Sequence, residues 1–234
     1  MMPKTNLSDV ENFRYEKKFV TSELFLYEVE HLIKHNPLVF SEMYNKRTVN
    51  NIYLDSIDYK NYREHIEGTS QRLKVRIRWY GETFGFIKNP VLELKIKNNE
   101  LNKKLHFSLD PFVLDKSFSL DLLQKVFLNS KLPKWLIEKL RLFFPTLLNS
   151  YKRKYFVSAD KKHRITLDWD MIFFRIRSRN NSFSEKIADK ETCILEIKYS
   201  SKDYGKTEII TEHLPFRLIA HSKYISGIRL LNLY

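Results

Sequence analysis

Residues 73–79 read Leu73-Lys74-Val75-Arg76-Ile77-Arg78-Trp79, an unbroken alternation of apolar and cationic side chains. Period two places successive side chains on opposite faces of a strand. The stretch therefore predicts a β-strand with a packing face (Leu73, Val75, Ile77, Trp79) and a purely cationic face (Lys74, Arg76, Arg78). The pattern recurs outward from it. Leu92, Leu94 and Ile96 alternate with Glu93, Lys95 and Lys97, and Leu195 and Ile197 with Glu196 and Lys198. Arg14, Glu16 and Lys18 share a face, as do Arg164, Thr166 and Asp168, and Arg153 stands beside Tyr151 and Tyr155. Asn51–Asp55, Lys103–Leu109 and Ile172–Arg177 alternate too. Helical spacing marks Ser22–His35, Ile57–Ile66, Leu120–Leu128, Lys134–Phe144 and the C-terminal stretch ending SKYISGIRLLNLY. Strands and helices do not alternate regularly, which predicts antiparallel α+β rather than a wound parallel sheet.

Composition bounds the chemistry. The chain has 234 residues with 43% hydrophobic side chains, enough apolar surface to order one domain, expected over 13–234 after a tail at 1–12. Residues 180–192 read as a polar loop. A single Cys193 excludes a disulfide framework and a cysteine zinc site; it opens an apolar strand and reads as a buried, inert thiol. MMPKTNLSDVENF lacks a signal-type apolar run, and Leu142–Leu148, broken by Pro145, is far shorter than the ~20 residues a bilayer requires. A cytoplasmic location and no membrane-spanning segment are expected.

Forty-one Lys and Arg against 28 Asp and Glu leave a charge of +13 at pH 7, so a polyanion is the first partner to consider. With five glycines and neither GxxxxGK[ST] nor GxGxxG, side chains rather than backbone must hold any phosphate. Like charges two residues apart on a strand, roughly 7 Å, repel by on the order of 2 kcal/mol at a dielectric of 20, and less in salt. Solvated faces normally mix signs. Repeated Lys and Arg on several strands, punctuated by single carboxylates, is what phosphates accompanied by a divalent metal require. Nucleic acid is disfavoured, because the aromatics mostly alternate away from the charges and Glu16, Glu93 and Glu196 would repel it. His31 and His35, at i and i+4, read as a solvated helix end rather than a zinc pair. Asp168, on the Arg164 face, reads as orienting Arg164, with a share in holding metal as the alternative.

The fragments FRYEKKF (13–19), IYLDSIDYKNY (52–62), KVRIRWYG (74–81), LELK (92–95), SYKRKYF (150–156), RITLD (164–168), LEIKYS (195–200) and HSKYISG (221–227) occur in a telling order. With them the chain resembles the VTC domain, the polyphosphate polymerase branch of the triphosphate tunnel metalloenzymes. The resemblance implies an antiparallel eight-stranded β-barrel tunnel with flanking helices, binding ATP and inorganic polyphosphate with Mn²⁺ or Mg²⁺. It implies phosphate contacts from Lys18, Arg76, Arg78, Lys95, Lys104, Arg153, Arg164 and Lys223, with Lys198 beside them and Glu196 on the metal. Arg76, Arg78, Arg153, Arg164 and Glu196 are the expected catalytic set. His65 and Ala220 stand where the family carries basic residues, so His65 is expected to contact substrate according to its protonation. Glu16 is reminiscent of the acidic strand of the hydrolytic branch and is a second expected metal ligand. The implied activity is a metal-dependent phosphotransferase moving the γ-phosphoryl group of ATP onto polyphosphate. A tripolyphosphate or nucleoside-triphosphate hydrolase and a non-catalytic polyphosphate-binding module are the alternatives. Oligomeric state and a membrane-protein partner are left open.

Overall fold

A computed structural model describes residues 14–22, 24–98 and 101–234. The expected tail at 1–12 lies outside the described residues. In chain order the elements are β1 (Arg14–Thr21), α1 (Leu26–Lys34), β2 (Ser41–Asp55), α2 (Lys60–Ile66), β3 (Gln71–Tyr80), β4 (Gly85–Ile87), β5 (Val91–Asn98) and β6 (Leu101–Ser108). Then follow β7 (Phe112–Leu114), α3 (Leu120–Asn129), α4 (Lys134–Leu140), β8 (Phe144–Val157), β9 (Arg164–Arg175), β10 (Lys186–Asp189), β11 (Cys193–Ser200), α5 (Tyr204–Glu212), β12 (Arg217–Leu218) and α6 (Lys223–Leu230). Among the described residues no helix is long and apolar enough to cross a membrane.

The chain divides into two compact units. The first comprises the described residues up to Lys46, with Arg153–Asp170 and Lys190–His221. Its ladder runs β12-β1-β11-β9, antiparallel throughout. Alternation turns Phe19, Ile165, Leu167, Leu195 and Ile197 to one side, where they pack with Val29 and Ile33 of α1 and Ile210 of α5. Cys193 is buried in the same cluster, as its apolar neighbours suggest.

The second unit comprises Arg47–Lys152, Met171–Asp189 and Ser222–Tyr234. Its ladder runs β2-β3-β5-β6, with β4 paired to β7 and β10 paired to Met171–Phe174 of β9. Val75, Ile77, Trp79, Leu92 and Leu94 pack with Leu123 and Phe127 of α3 and Leu136 and Leu140 of α4. Burying each such side chain contributes about 1.5–3 kcal/mol, so the apolar sides drive both sheets and leave the charged sides outside these cores. Ser119 starts α3 by accepting from the Leu122 amide. Gly227 lets α6 approach closely: a Cβ there would lie 2.5 Å from Leu147 Cδ2 and 2.7 Å from Phe173 Cδ1.

Several expectations are corrected. The hydrogen-bonded order β12-β1-β11-β9-β8-β2-β3-β5-β6, with β10 on β9, has ten strands. It ends at β12 and β6 among the described residues, so a large antiparallel sheet not closed into a barrel replaces the eight-stranded tunnel. One terminal strand, β12, offers only two residues to β1. β2 begins at Ser41 rather than Asn51, because 41–47 are exposed and 49–55 buried, and neither half alternates. Two expected strands are one, β9, whose alternation breaks where Asp170 adopts a left-handed φ of 53°. The polar segment 180–192 contains β10. The first helix begins at Leu26 rather than Ser22, and the segment expected as helix to Phe144 leaves α4 at Leu140 and enters β8 at Phe144.

Candidate functional site

In antiparallel ladders, residues directly opposite one another share a face. The first unit's charged face follows from its register. One row joins Lys18, Glu196 and Thr166 across β1, β11 and β9, and the next joins Glu16, Lys198 and Arg164. Lysines and glutamates thus alternate both along and across β1 and β11. Lys18 Nζ lies 2.7 Å from Glu16 Oε1 and 3.8 Å from Glu196 Oε2, and Lys198 Nζ lies 2.5 Å from Glu196 Oε1. Burial alone would raise the Glu196 carboxyl, but the Lys198 and Lys18 ammoniums beside it, with Arg153, hold it well below the usual carboxylate range. Glu196 is therefore an anion throughout the neutral range.

Arg153, buried on β8, donates from Nε to Asp168 Oδ1 at 2.5 Å and from Nη2 to Asp168 Oδ2 at 2.7 Å. Asp168 thus orients an arginine, but the bidentate partner is Arg153 of β8, not the Arg164 expected from the sequence, because register across strands and not the residue's own strand decides which guanidinium it meets. Arg164 is exposed opposite Lys198, a cation facing a cation.

The second unit uses the same construction with a different balance. Lys74, Lys95 and Lys104 stand in register across β3, β5 and β6. The adjoining row is Tyr53, Arg76, Glu93 and His106, and Asn51 faces Arg78 beyond it. Arg76 Nη2 lies 2.5 Å from Glu93 Oε2, and Arg78 Nη1 lies 3.6 Å from Glu93 Oε1. Burial pushes the Glu93 carboxyl up, but Arg76 and Arg78 outweigh it and lower its pKa. Arg78 Nε also donates to Asn51 Oδ1 at 2.8 Å, and Asn51 Nδ2 to Asn149 Oδ1 at 2.9 Å. These two amides fix the guanidinium's direction.

The N-terminus of α6 belongs to this face. Lys74 Nζ donates to Ser222 Oγ at 3.0 Å, and Lys223 Nζ lies 4.6 Å from the Tyr151 ring centroid. Tyr224 stacks on Tyr53 at 5.1 Å between centroids and donates to Asp55 Oδ2 at 2.6 Å. Burial and the Asp55 carboxylate push the Tyr224 phenol far up, so it stays a neutral donor. Asp55, fully buried, also accepts from the amides of Ser56, Asn61 and Tyr62, tying α2 and α6 together. His65 lies half-buried in the last turn of α2, which packs against β3 and α6.

The structure thus places Glu16, Lys18, Arg153, Arg164, Glu196 and Lys198 in the first unit, and His65, Arg76, Arg78, Lys95, Lys104 and Lys223 in the second. Sequence reasoning assigned no site role to Asn51, Asn149 or His106, and none to Asp55 or Tyr224. The one-residue offsets that align Asn51 with Arg78 and His106 with Glu93 were the available signal, and they require strand pairing to be read. His31 and His35 stack at 3.8 Å between centroids near the end of α1, and His35 Nδ1 lies 3.0 Å from the His31 carbonyl oxygen. Among the described residues no three His, Cys, Asp or Glu side chains cluster as a metal cage. Glu16 and Glu196, both reaching Lys18 Nζ, nevertheless fit a hard divalent cation of the kind that takes one or two carboxylates and completes its shell with water and substrate phosphates.

The model of the VTC domain family matches residues 13–232. No curated protein matches the chain significantly. Among solved structures it is similar to the PH1819 protein of Pyrococcus horikoshii OT3, with 16% identity, TM-score 0.50, 93% of this chain covered and 98% of that one. A Hippeastrum protein, HpAC1, described as an adenylyl cyclase candidate with a dominant triphosphatase activity, has 12% identity and TM-score 0.53 over 95% of this chain and 100% of its own. A Vibrio parahaemolyticus protein provisionally called an adenylate cyclase has 10% identity and TM-score 0.51 over 93% and 98%. At such identities these likenesses speak to fold.

Proposed function

The chain belongs to the VTC domain family, and from that premise we propose that it is a metal-dependent polyphosphate polymerase, transferring the γ-phosphoryl group of ATP to the end of a polyphosphate chain. The observation that carries this reading is the row Lys74, Lys95 and Lys104 in register beside Arg76 and Arg78. Like charges in adjoining register positions repel one another, and phosphate oxygens spaced along a chain relieve that repulsion. In this reading Lys18, Lys198, Arg153 and Arg164 stabilise charge on the transferring group, with Arg153 pre-aimed by Asp168. Glu196 and Glu16 hold Mn²⁺ or Mg²⁺, which when bound neutralises phosphate oxygens and orients them. Lys95, Lys104, Lys223, Arg76 and Arg78 grip the chain, and His65 adds a contact when protonated.

Triphosphate hydrolysis is the second reading, favoured by the second carboxylate, Glu16, on the same lysine as Glu196. The experiment incubates the protein with ATP and Mn²⁺, resolves products on a polyacrylamide gel and measures orthophosphate in the same tube. A ladder of phosphate chains with ADP supports polymerisation. Orthophosphate without a ladder replaces it with hydrolysis. Polyphosphate binding without turnover under either metal leaves a binding module.

A further inference from the structure

Thr166 is the one neutral side chain in the rows of the first unit. It sits in register with Glu196 and one strand position from both Arg164 and Asp168 on the same face. Its residue exposure is 6%, and its Oγ is buried with no hydrogen-bond partner among the described residues. A buried hydroxyl left in that state is destabilising, because it has given up water and gained nothing in exchange. Other buried polar atoms lack partners too, such as His163 Nδ1 and Asn61 Nδ2, but neither lies in a row with Glu196 and Lys18.

Resting on the phosphate-binding reading above, we propose that Thr166 is a specificity-determining phosphate ligand, whose Oγ–H donates to a phosphoryl oxygen held beside Glu196. Lys198 supplies the means. Its ammonium is drawn to Glu196 at 2.5 Å, yet its side chain is 35% exposed and able to turn. An arriving phosphate competes for that ammonium, opens the space over β9 and presents the hydroxyl with an acceptor. A short neutral donor between charged groups favours a tetrahedral phosphoryl group over a planar carboxylate, since it donates to only one of several oxygens while Arg164 and Lys198 donate to the others.

The test compares Thr166→Val, which keeps the shape and removes the hydroxyl, with Thr166→Ser, which keeps the hydroxyl. Two measurements are made on each without metal: the melting temperature of the unliganded protein and the affinity for tripolyphosphate by calorimetry. Thr166→Val is expected to melt about 2–4 °C higher than wild type while binding tripolyphosphate about threefold to tenfold more weakly. Thr166→Ser is expected to restore affinity. Gain of stability with loss of affinity is the signature of a donor kept idle for a ligand. If Thr166→Val binds as tightly as wild type, or melts lower, the hydroxyl is structural and the assignment fails. If wild type itself binds no tripolyphosphate, the phosphate-binding reading fails first and takes this inference with it.

Discussion

In the first unit each lysine of the rows meets a glutamate across the ladder, Lys18 against Glu196 and Lys198 against Glu16. In the second, Lys74, Lys95 and Lys104 face one another. The two faces arise from one sequence device, a strand alternating apolar and charged residues, yet they differ in electrical character. The first sets three cations, Lys18, Lys198 and Arg164, against two carboxylates, Glu16 and Glu196, with Arg153 neutralised by Asp168. The second, in the rows described, sets Lys74, Lys95, Lys104, Arg76 and Arg78 beside one carboxylate, Glu93. A near-balanced face holds its carboxylates ionised and offers them to a cation. A cation-rich one attracts an anion. Under the proposed function the first face carries the residues assigned to the transferring group and the second those assigned to the chain.

The strongest way to break that comparison is Glu196→Gln set against Glu93→Gln. Glu196→Gln is expected to lower kcat by about 100-fold or more while leaving tripolyphosphate affinity within a few-fold. Glu93→Gln, which only loosens Arg76 and Arg78, should keep kcat within about tenfold. Comparable losses of turnover would abolish the distinction. Arg76→Ala comes next, with an expected 10- to 100-fold, order-of-magnitude, loss of polyphosphate affinity measured by calorimetry, larger than that of exposed Arg164→Ala.

Gly227→Ala tests the scaffold of the second face. A methyl group placed 2.5 Å from Leu147 should cost about 1–3 kcal/mol in denaturant unfolding, with α6 displaced and the Lys223 and Tyr224 contacts loosened. A pH series sharpens the pairing of both glutamates. Their folded pKa values are lowered, so the stability they contribute is fully present above the ordinary carboxylate range and is lost as pH falls below it through the lowered folded values. The melting-temperature gap between wild type and Glu196→Gln should therefore be constant near neutrality and shrink below about pH 4. A gap that widens in acid would contradict the lowered pKa. The smallest effect belongs to Lys104→Ala: at an exposed edge strand its loss should weaken polyphosphate binding only about twofold to fivefold, and less in high salt.

Much of this was legible because β-strand alternation is local. LKVRIRW, LELK and LEIK each announced a core side and a charged side, and the structure buries Val75, Ile77, Leu92, Leu94, Leu195 and Ile197 accordingly. Cys193 in the core was likewise readable from its neighbours, whereas Asp168, read as orienting Arg164, pairs with Arg153 of another strand. β2 was read only over its end, Asn51–Asp55, because its exposed half carries no alternation, and β9 was split because Asp170 shifts the phase inside one strand. The barrel came from resemblance rather than from any residue pattern.

The sequence by itself determined which side of each strand is charged, since period-two geometry follows from the chain alone. It could not determine which charges meet. That depends on register, a pairing between segments distant in sequence: it put Glu196 beside Lys18 and Thr166, aligned three lysines across β3, β5 and β6, and brought the Tyr224 hydroxyl to Asp55. Side-chain electrostatics act over a few ångströms in space. Only tertiary structure sets those distances.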